Sequence, residues 1–206
     1  MRRSKGDKDE TRQRILDSAG RLFKADGIDG TGIAGLMADA GLTNGGFYKH
    51  FSSKDDLVAH TVADQLALQQ RIVDALPPGR AGVEEFVRYY LSAQHRDGQS
   101  DGCVSAALLD EIGRCSDGVR QSYTQGLTLL MEEIARRLTP ADPAASRTAV
   151  TTAFAMMAGS IQISRALADR AMADELLDNA ATTALALFET AASAVPAPAA
   201  SDTPAR

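Results

Sequence analysis

Apolar residues recur at helical spacing along almost all of this 206-residue chain, and that recurrence limits its fold more than any other feature. Val83, Phe86, Val87, Tyr90 and Leu91 make the cleanest stripe, because positions three and four apart share one helix face. Ile15, Ala19, Leu22 and Phe23 predict a first helix from Thr11 to Ala25, ended at Gly27. Nowhere does an alternating pattern compete, and no internal repeat of fixed period is visible. The expected fold class is all-α.

Further helices follow from start and stop signals. Ile33, Leu36, Met37 and Ala40 predict a short second helix, entered through Thr31 as N-cap and stopped at Gly41. Thr43 is expected to cap a very short third helix running toward Lys49. Ser53 with Asp56 reads as a capping box opening a long fourth helix through Leu76, which the run "PPGRAG" breaks. After the loop "RDGQSDG", helices are expected over Cys103 to Ile112 and Val119 to Leu138. Asp142 before Pro143 marks another start, and its helix carries Val150, Phe154, Met157 and Ile161 on one face. A last helix fits Leu176 to Phe188, and the Pro/Ala-rich tail after Val195 is expected to be disordered.

Size and charge narrow the class. With 44% hydrophobic and 24% charged residues, the chain can bury a core without disulfides, and no run approaches the 18 or so apolar residues of a membrane span. The charged N-terminus lacks a signal peptide's apolar stretch, so a cytoplasmic location is expected. Cys103 and Cys115 match no zinc spacing and read as reduced thiols. Net charge is −5, yet residues 1–60 carry ten Lys and Arg against nine Asp and Glu, and all five lysines lie there. That asymmetry hints at a polyanion-binding segment on an acidic body.

Gly45 and Gly46 sit side by side in the expected third helix, immediately before Phe47, Tyr48, Lys49, His50 and Phe51. Each costs a helix about 1 kcal/mol relative to Ala, so helix stability does not recommend them. Three short helices with a Gly-containing turn at "DAGLT" match the helix-turn-helix plan, whose last helix enters the major groove. Bare glycines there let the backbone approach a sugar-phosphate chain. Tyr48, Lys49, His50 and Lys54 would hold phosphates, Phe47 or Phe51 would anchor the element, and Thr43, Asn44 and the glycine pair would face bases. His50 has a plainer alternative as a packed side chain beside Phe51.

The stretch "GTGIAGLMADAGLTNGGFYKHFSSKDDL", residues 30–57, resembles the DNA-binding signature of the tetracycline-repressor (TetR) family of bacterial transcription regulators. The resemblance implies a helix-turn-helix domain over residues 1–55, a helical ligand-binding and dimerisation domain over 56–194, and a tail over 195–206. It further implies Thr31, Thr43, Asn44, Gly45, Gly46, Tyr48, His50 and Lys54 at DNA, with Arg2, Arg3 and Lys5 as a flexible arm. Its implied partners are a double-stranded operator, a small-molecule inducer and a second copy of the chain. The expected activity is that of a repressor released from a pseudo-palindromic operator, and the last two long helices, around Phe154 to Ile161 and Ala180 to Phe188, are expected to form the dimer seam.

For the inducer pocket, Phe86, Tyr90, Tyr123, Leu127, Met131 and Met157 are candidates, with Tyr89 and Met156 beside them; plain core is the alternative for each. Cys103 opens a helix, which favours a thiolate, and some members of the family sense oxidants or electrophiles through such a thiol. A Cys–Lys crosslink is not expected, since no lysine follows Lys54. No enzyme constellation, cofactor motif or metal cluster is present in the sequence, and Asp110-Glu111 and Glu132-Glu133 read as solvated pairs. A helical carrier or an enzyme without DNA binding remains the remaining class.

Overall fold

The computed structural model describes residues 5–193, and the described residues form helices with no strand. Arg2 and Arg3 of the expected arm, and the tail beyond Val195, lie outside those residues. Among the described residues nine α-helices follow one another: α1 (Lys5–Asp26), α2 (Ile33–Asp39), α3 (Lys54–Ala75), α4 (Arg80–Tyr90), α5 (Ala93–Asp97), α6 (Val104–Arg114), α7 (Asp117–Leu138), α8 (Pro143–Ala166) and α9 (Arg170–Ser193). Two 3₁₀ segments interrupt them, Asn44–Lys49 and Gln99–Asp101.

The first helix begins six residues before the expected start, so the backbone of Lys5 is helical rather than part of an arm. Periodicity was silent there because the first turns of α1 are exposed and carry no apolar face. Gly27 ends the helix with φ 84°, a conformation that suits glycine. Ile15, Ala19 and Phe23 then pack with Leu36, Phe47, Phe51 and Leu57 into one buried cluster that runs on without a break into α4, α7, α8 and α9.

Thr31 is not the N-cap of α2. Gly32 takes that place, and the Thr31 hydroxyl donates instead to the Gly27 carbonyl at 2.9 Å. After α2 the chain reverses in a Schellman turn: Gly41 at φ 68° donates to the Ala38 carbonyl at 2.9 Å, and Leu42 donates to Met37 at 2.8 Å. Arg14 from α1 pins this turn through the Ala40 carbonyl at 2.5 Å. Ser18 and Arg21 both engage Asp39, and the Ser18 hydroxyl first, then Arg21, hold its carboxyl below the usual range.

The capping box at α3 is formed in a shifted way. The Asp56 amide donates to the Ser53 hydroxyl at 3.0 Å, but the Asp56 carboxylate accepts from the amide and hydroxyl of Ser52, at 2.8 and 2.9 Å, not from Ser53. The body is a helical bundle in which α3 lies along α7, and α7 and α9 flank α8. Pro143 opens α8 as expected, although Asp142 makes no side-chain cap. The short α5 begins ahead of the expected loop and ends in its first two residues, and the 3₁₀ turn lies within that loop; both are too brief for a periodic signal.

Two acidic pairs depart from the solvated reading. Glu111 accepts from the Ile28 amide at 2.7 Å, and Glu133, 7% exposed, engages both Arg136 and Arg137. Neighbouring carboxylates on a helix can thus serve opposite environments, because one residue turns the side chain by about 100°.

Candidate nucleic-acid interface and inner cavity

The third element of the head is a 3₁₀ helix, and Thr43 at its N-cap forms no side-chain cap. Phe47 and Phe51, 0% and 2% exposed, anchor it with rings 5.9 Å apart, and the Arg12 guanidinium lies 4.8 Å from the Phe51 centroid. With its apolar residues spent inward, the segment turns Thr43, Asn44, Gly45, Tyr48 and Lys49 to solvent. Tyr48 is 72% exposed, a large area for an aromatic side chain to leave in water. His50 and Lys54 are half-buried, and Lys54 is the first residue of α3.

The glycines decide how this surface reads. Neither Gly45 nor Gly46 has a positive φ. A β-carbon on Gly45 would meet nothing within 4 Å, and one on Gly46 only the Met37 methyl at 3.6 Å. The same open space surrounds Gly32 and Gly35. The fold therefore has no use for the absence of a side chain at these positions. Thr31 departs from the set: it is 6% exposed and its hydroxyl is committed to Gly27.

A cavity lies where the head meets the body. It is lined by Lys24 from α1, Gln65, Leu68, Gln69 and Ile72 from α3, Phe86, Tyr89 and Tyr90 from α4, and His95, Asp101, Gly102 and Cys103 beyond. It offers about 50 Å³ to the centre of a water-sized sphere and about 460 Å³ of void counting its mouth. Of the expected pocket residues it gathers Phe86 and Tyr90 but not Tyr123, Leu127, Met131 or Met157. Met131 and Met157 are buried core, Leu127 is partly buried against that core, and Tyr123 shares a hydrogen bond with Ser105 at 2.9 Å. Helical spacing marks which residues are interior, not which interior residues leave space between them.

Polar groups concentrate at the floor. His95 receives the Cys103 amide on Nε2 at 2.9 Å, and its Nδ1 pairs with the Tyr90 carbonyl at 2.6 Å. A carbonyl can only accept, so Nδ1 carries the proton and the ring is neutral; burial lowers the His95 pKa accordingly. The Cys103 thiol donates to Gln69 at 3.0 Å. Lys24, 4% exposed, donates to the Gly102 carbonyl at 2.9 Å, and its own carbonyl accepts from Gln99 at 2.6 Å. Burial lowers the Lys24 pKa, while Cys103 and Asp101 act the other way. A lysine does reach the neighbourhood of Cys103, from α1 rather than from the body. Sequence reasoning missed Lys24 because helix spacing placed it beside Phe23 without saying that this face meets another segment.

Fold and head together define an all-helical protein built on a helix-turn-helix. Residues 15–61 match the profile of the bacterial regulatory proteins of the tetR family, so the head of the chain carries that family's characteristic segment. It is 45% identical over 56 residues to the HTH-type transcriptional regulator AcrR of Shigella flexneri, covering 27% of this chain and 26% of that one. To the HTH-type transcriptional repressor NemR of Escherichia coli K12 it is 27% identical over 122 residues, 57% and 61% of the two chains. The match to these two relatives thus spans less than two thirds of their length. The solved structure of the reduced form of E. coli NemR superposes with a TM-score of 0.71 at 18% identity, covering 85% of this chain and 95% of that one. No described helix is long and apolar enough to cross a membrane.

Proposed function

We propose that the chain is a homodimeric repressor that binds a pseudo-palindromic operator and is released by a small molecule. The open space around Gly45 and Gly46 carries this reading, since nothing inside the fold accounts for two glycines in the exposed segment. A DNA backbone seated there does. Thr43 and Asn44 then face base edges, Asn44 suiting adenine, while Tyr48, Lys49, His50 and Lys54 hold phosphates and set register. The Thr31 hydroxyl is committed to the Gly27 carbonyl in the turn between α1 and α2. Residues 1–55 serve as the DNA-binding domain and residues 56–194 as the ligand-binding and dimerisation domain.

Two such heads must lie about 34 to 36 Å apart, or a multiple of that, to read successive half-sites. The seam is best sought on the outer faces of α8 and α9. Phe154, Ala158, Ile161, Ala180 and Phe188 are buried within the single chain, whereas Ile163 and Met172 are 55% and 56% exposed. Selecting genomic fragments with the purified chain, followed by fluorescence anisotropy on the recovered duplex, tests the reading. Recovery of no preferred sequence refutes it.

A second reading, regulation through the Cys103 thiol, draws support from Cys103 lining the cavity beside Lys24. Access to that thiol is through the cavity alone, for Cys103 is 7% exposed.

A further inference from the structure

We propose that the cavity between head and body is a binding site for a small aromatic carboxylate, whose charge is taken by the Lys24 ammonium and the Tyr90 hydroxyl. This deepens the reading of a ligand-released repressor and rests on it for its regulatory meaning, though not for the binding itself.

Two independent observations point to an anion. Lys24 is almost wholly buried, yet among the described residues its ammonium forms no ion pair and donates to a neutral carbonyl, that of Gly102. Buried charges are ordinarily paired. The Tyr90 hydroxyl, on a residue 1% exposed that lines the same cavity, has no hydrogen-bond partner among the described residues, and the Cys103 thiol is its neighbour. An orphaned donor at the floor is a place kept for an acceptor. Arg165 reinforces the positive field near Tyr90 and Cys103, its guanidinium donating to three backbone carbonyls, of Arg96, Ala106 and His95, at 2.8 to 2.9 Å.

Opposing groups are weaker. Asp101 lines the cavity, is exposed, and favours the charged form of Lys24 from beyond ion-pair distance. His95 is neutral, with Nε2 occupied by the Cys103 amide. The walls, Leu68, Ile72, Phe86 and Tyr89, suit a flat apolar ring. The space also selects by size: at about 10–15 Å³ per water, the 50 Å³ open to a water's centre holds a few waters, about the room of a single ring, and a bulky polycycle would have to extend through the mouth. Position gives the site its leverage. Lys24 belongs to α1, which holds the head, and its bond to Gly102 is one of three hydrogen bonds tying the residue 24–28 segment to the body, with Gln99 to Lys24 and Ile28 to Glu111. A carboxylate drawing off the ammonium replaces that tie.

Calorimetric titration of the full chain with benzoate and, at equal ionic strength, with the neutral isostere benzamide tests the site. Benzoate should bind at least about tenfold more tightly, the usual margin of a charge-assisted hydrogen bond. Lys24→Met should erase that preference, and Tyr90→Phe should weaken benzoate about fivefold or more. Equal binding of acid and amide overturns the proposal, as does absence of binding by benzoate, phenylacetate and cinnamate alike. The acid–amide comparison needs only the native chain, so it stands even where Lys24→Met fails to fold. DNA anisotropy is run separately: a chain that binds benzoate but no operator refutes the regulator reading alone, and the reverse result refutes this site alone.

Discussion

Replacing Gly45 by Ala should stabilise the protein and weaken its hold on DNA, and the opposite signs are what make the substitution informative. The new methyl meets nothing within 4 Å and the residue does not sit at positive φ, so neither clash nor strain offsets the gain. Removing a glycine's freedom from the unfolded chain at a compatible site contributes about 0.4–1 kcal/mol. For a chain of this size each kcal/mol raises Tm by about 2–4 °C, so an increase of about 1–4 °C is expected by calorimetry. At the DNA, a methyl between the segment's backbone and a phosphate costs the close approach. We expect operator affinity to fall about tenfold, roughly 1.4 kcal/mol, in anisotropy titrations at one fixed salt concentration. Gly46→Ala, whose methyl would touch only Met37 at 3.6 Å, should behave alike with a smaller gain in stability. A lower Tm would show that the glycines serve the fold, and unchanged operator affinity would show that DNA does not approach them.

Lys54→Ala should lower the magnitude of the logarithmic salt slope of DNA binding by about 0.9, and an unchanged slope takes Lys54 out of the interface. Ile163→Glu, at an exposed position of α8, should leave the monomer folded but separate the dimer, since burying an unpaired carboxylate costs several kcal/mol, about 3–5; sedimentation showing an intact dimer moves the seam elsewhere. Ala158→Glu would instead probe folding, because Ala158 is 3% exposed within the single chain. Brief limiting alkylation should label Cys103 before Cys115, whose pKa is raised by burial and then by Asp55, Asp29 and Glu111; the reverse order removes the thiol reading. His95 has a depressed folded pKa, so the unfolded chain binds the extra proton first as pH falls. Stability should therefore be full above about 6.5, the ordinary histidine value, and decline below it toward the folded pKa. Urea unfolding over that range should show a shallower decline in His95→Gln.

Much of the helical scaffold was legible because its signals are local. The stripe from Val83 to Leu91, the turn at Gly41, the start at Pro143 and the anchors Phe47 and Phe51 each follow from neighbours a few residues apart, where periodicity, capping and φ preference act. The head's exposed residues were legible for the same reason, since a glycine pair before an aromatic run is a short-range pattern. Thr31 was misread where two adjacent residues could each begin a helix and the Gly27 carbonyl, brought near by the φ of a glycine, took the hydroxyl. What periodicity cannot express is which buried faces meet and where they fail to fill space. Lys24 and Cys103 stand 79 positions apart in the chain, and Glu111 finds Ile28 across a similar span; nothing local to either member of those pairs announces the other. The cavity, the unpaired ammonium at its floor and the burial of the supposed seam within one chain all depend on how α1, α3, α4 and α6 pack together, a matter of side-chain volume summed over distant segments rather than of any segment's own preference.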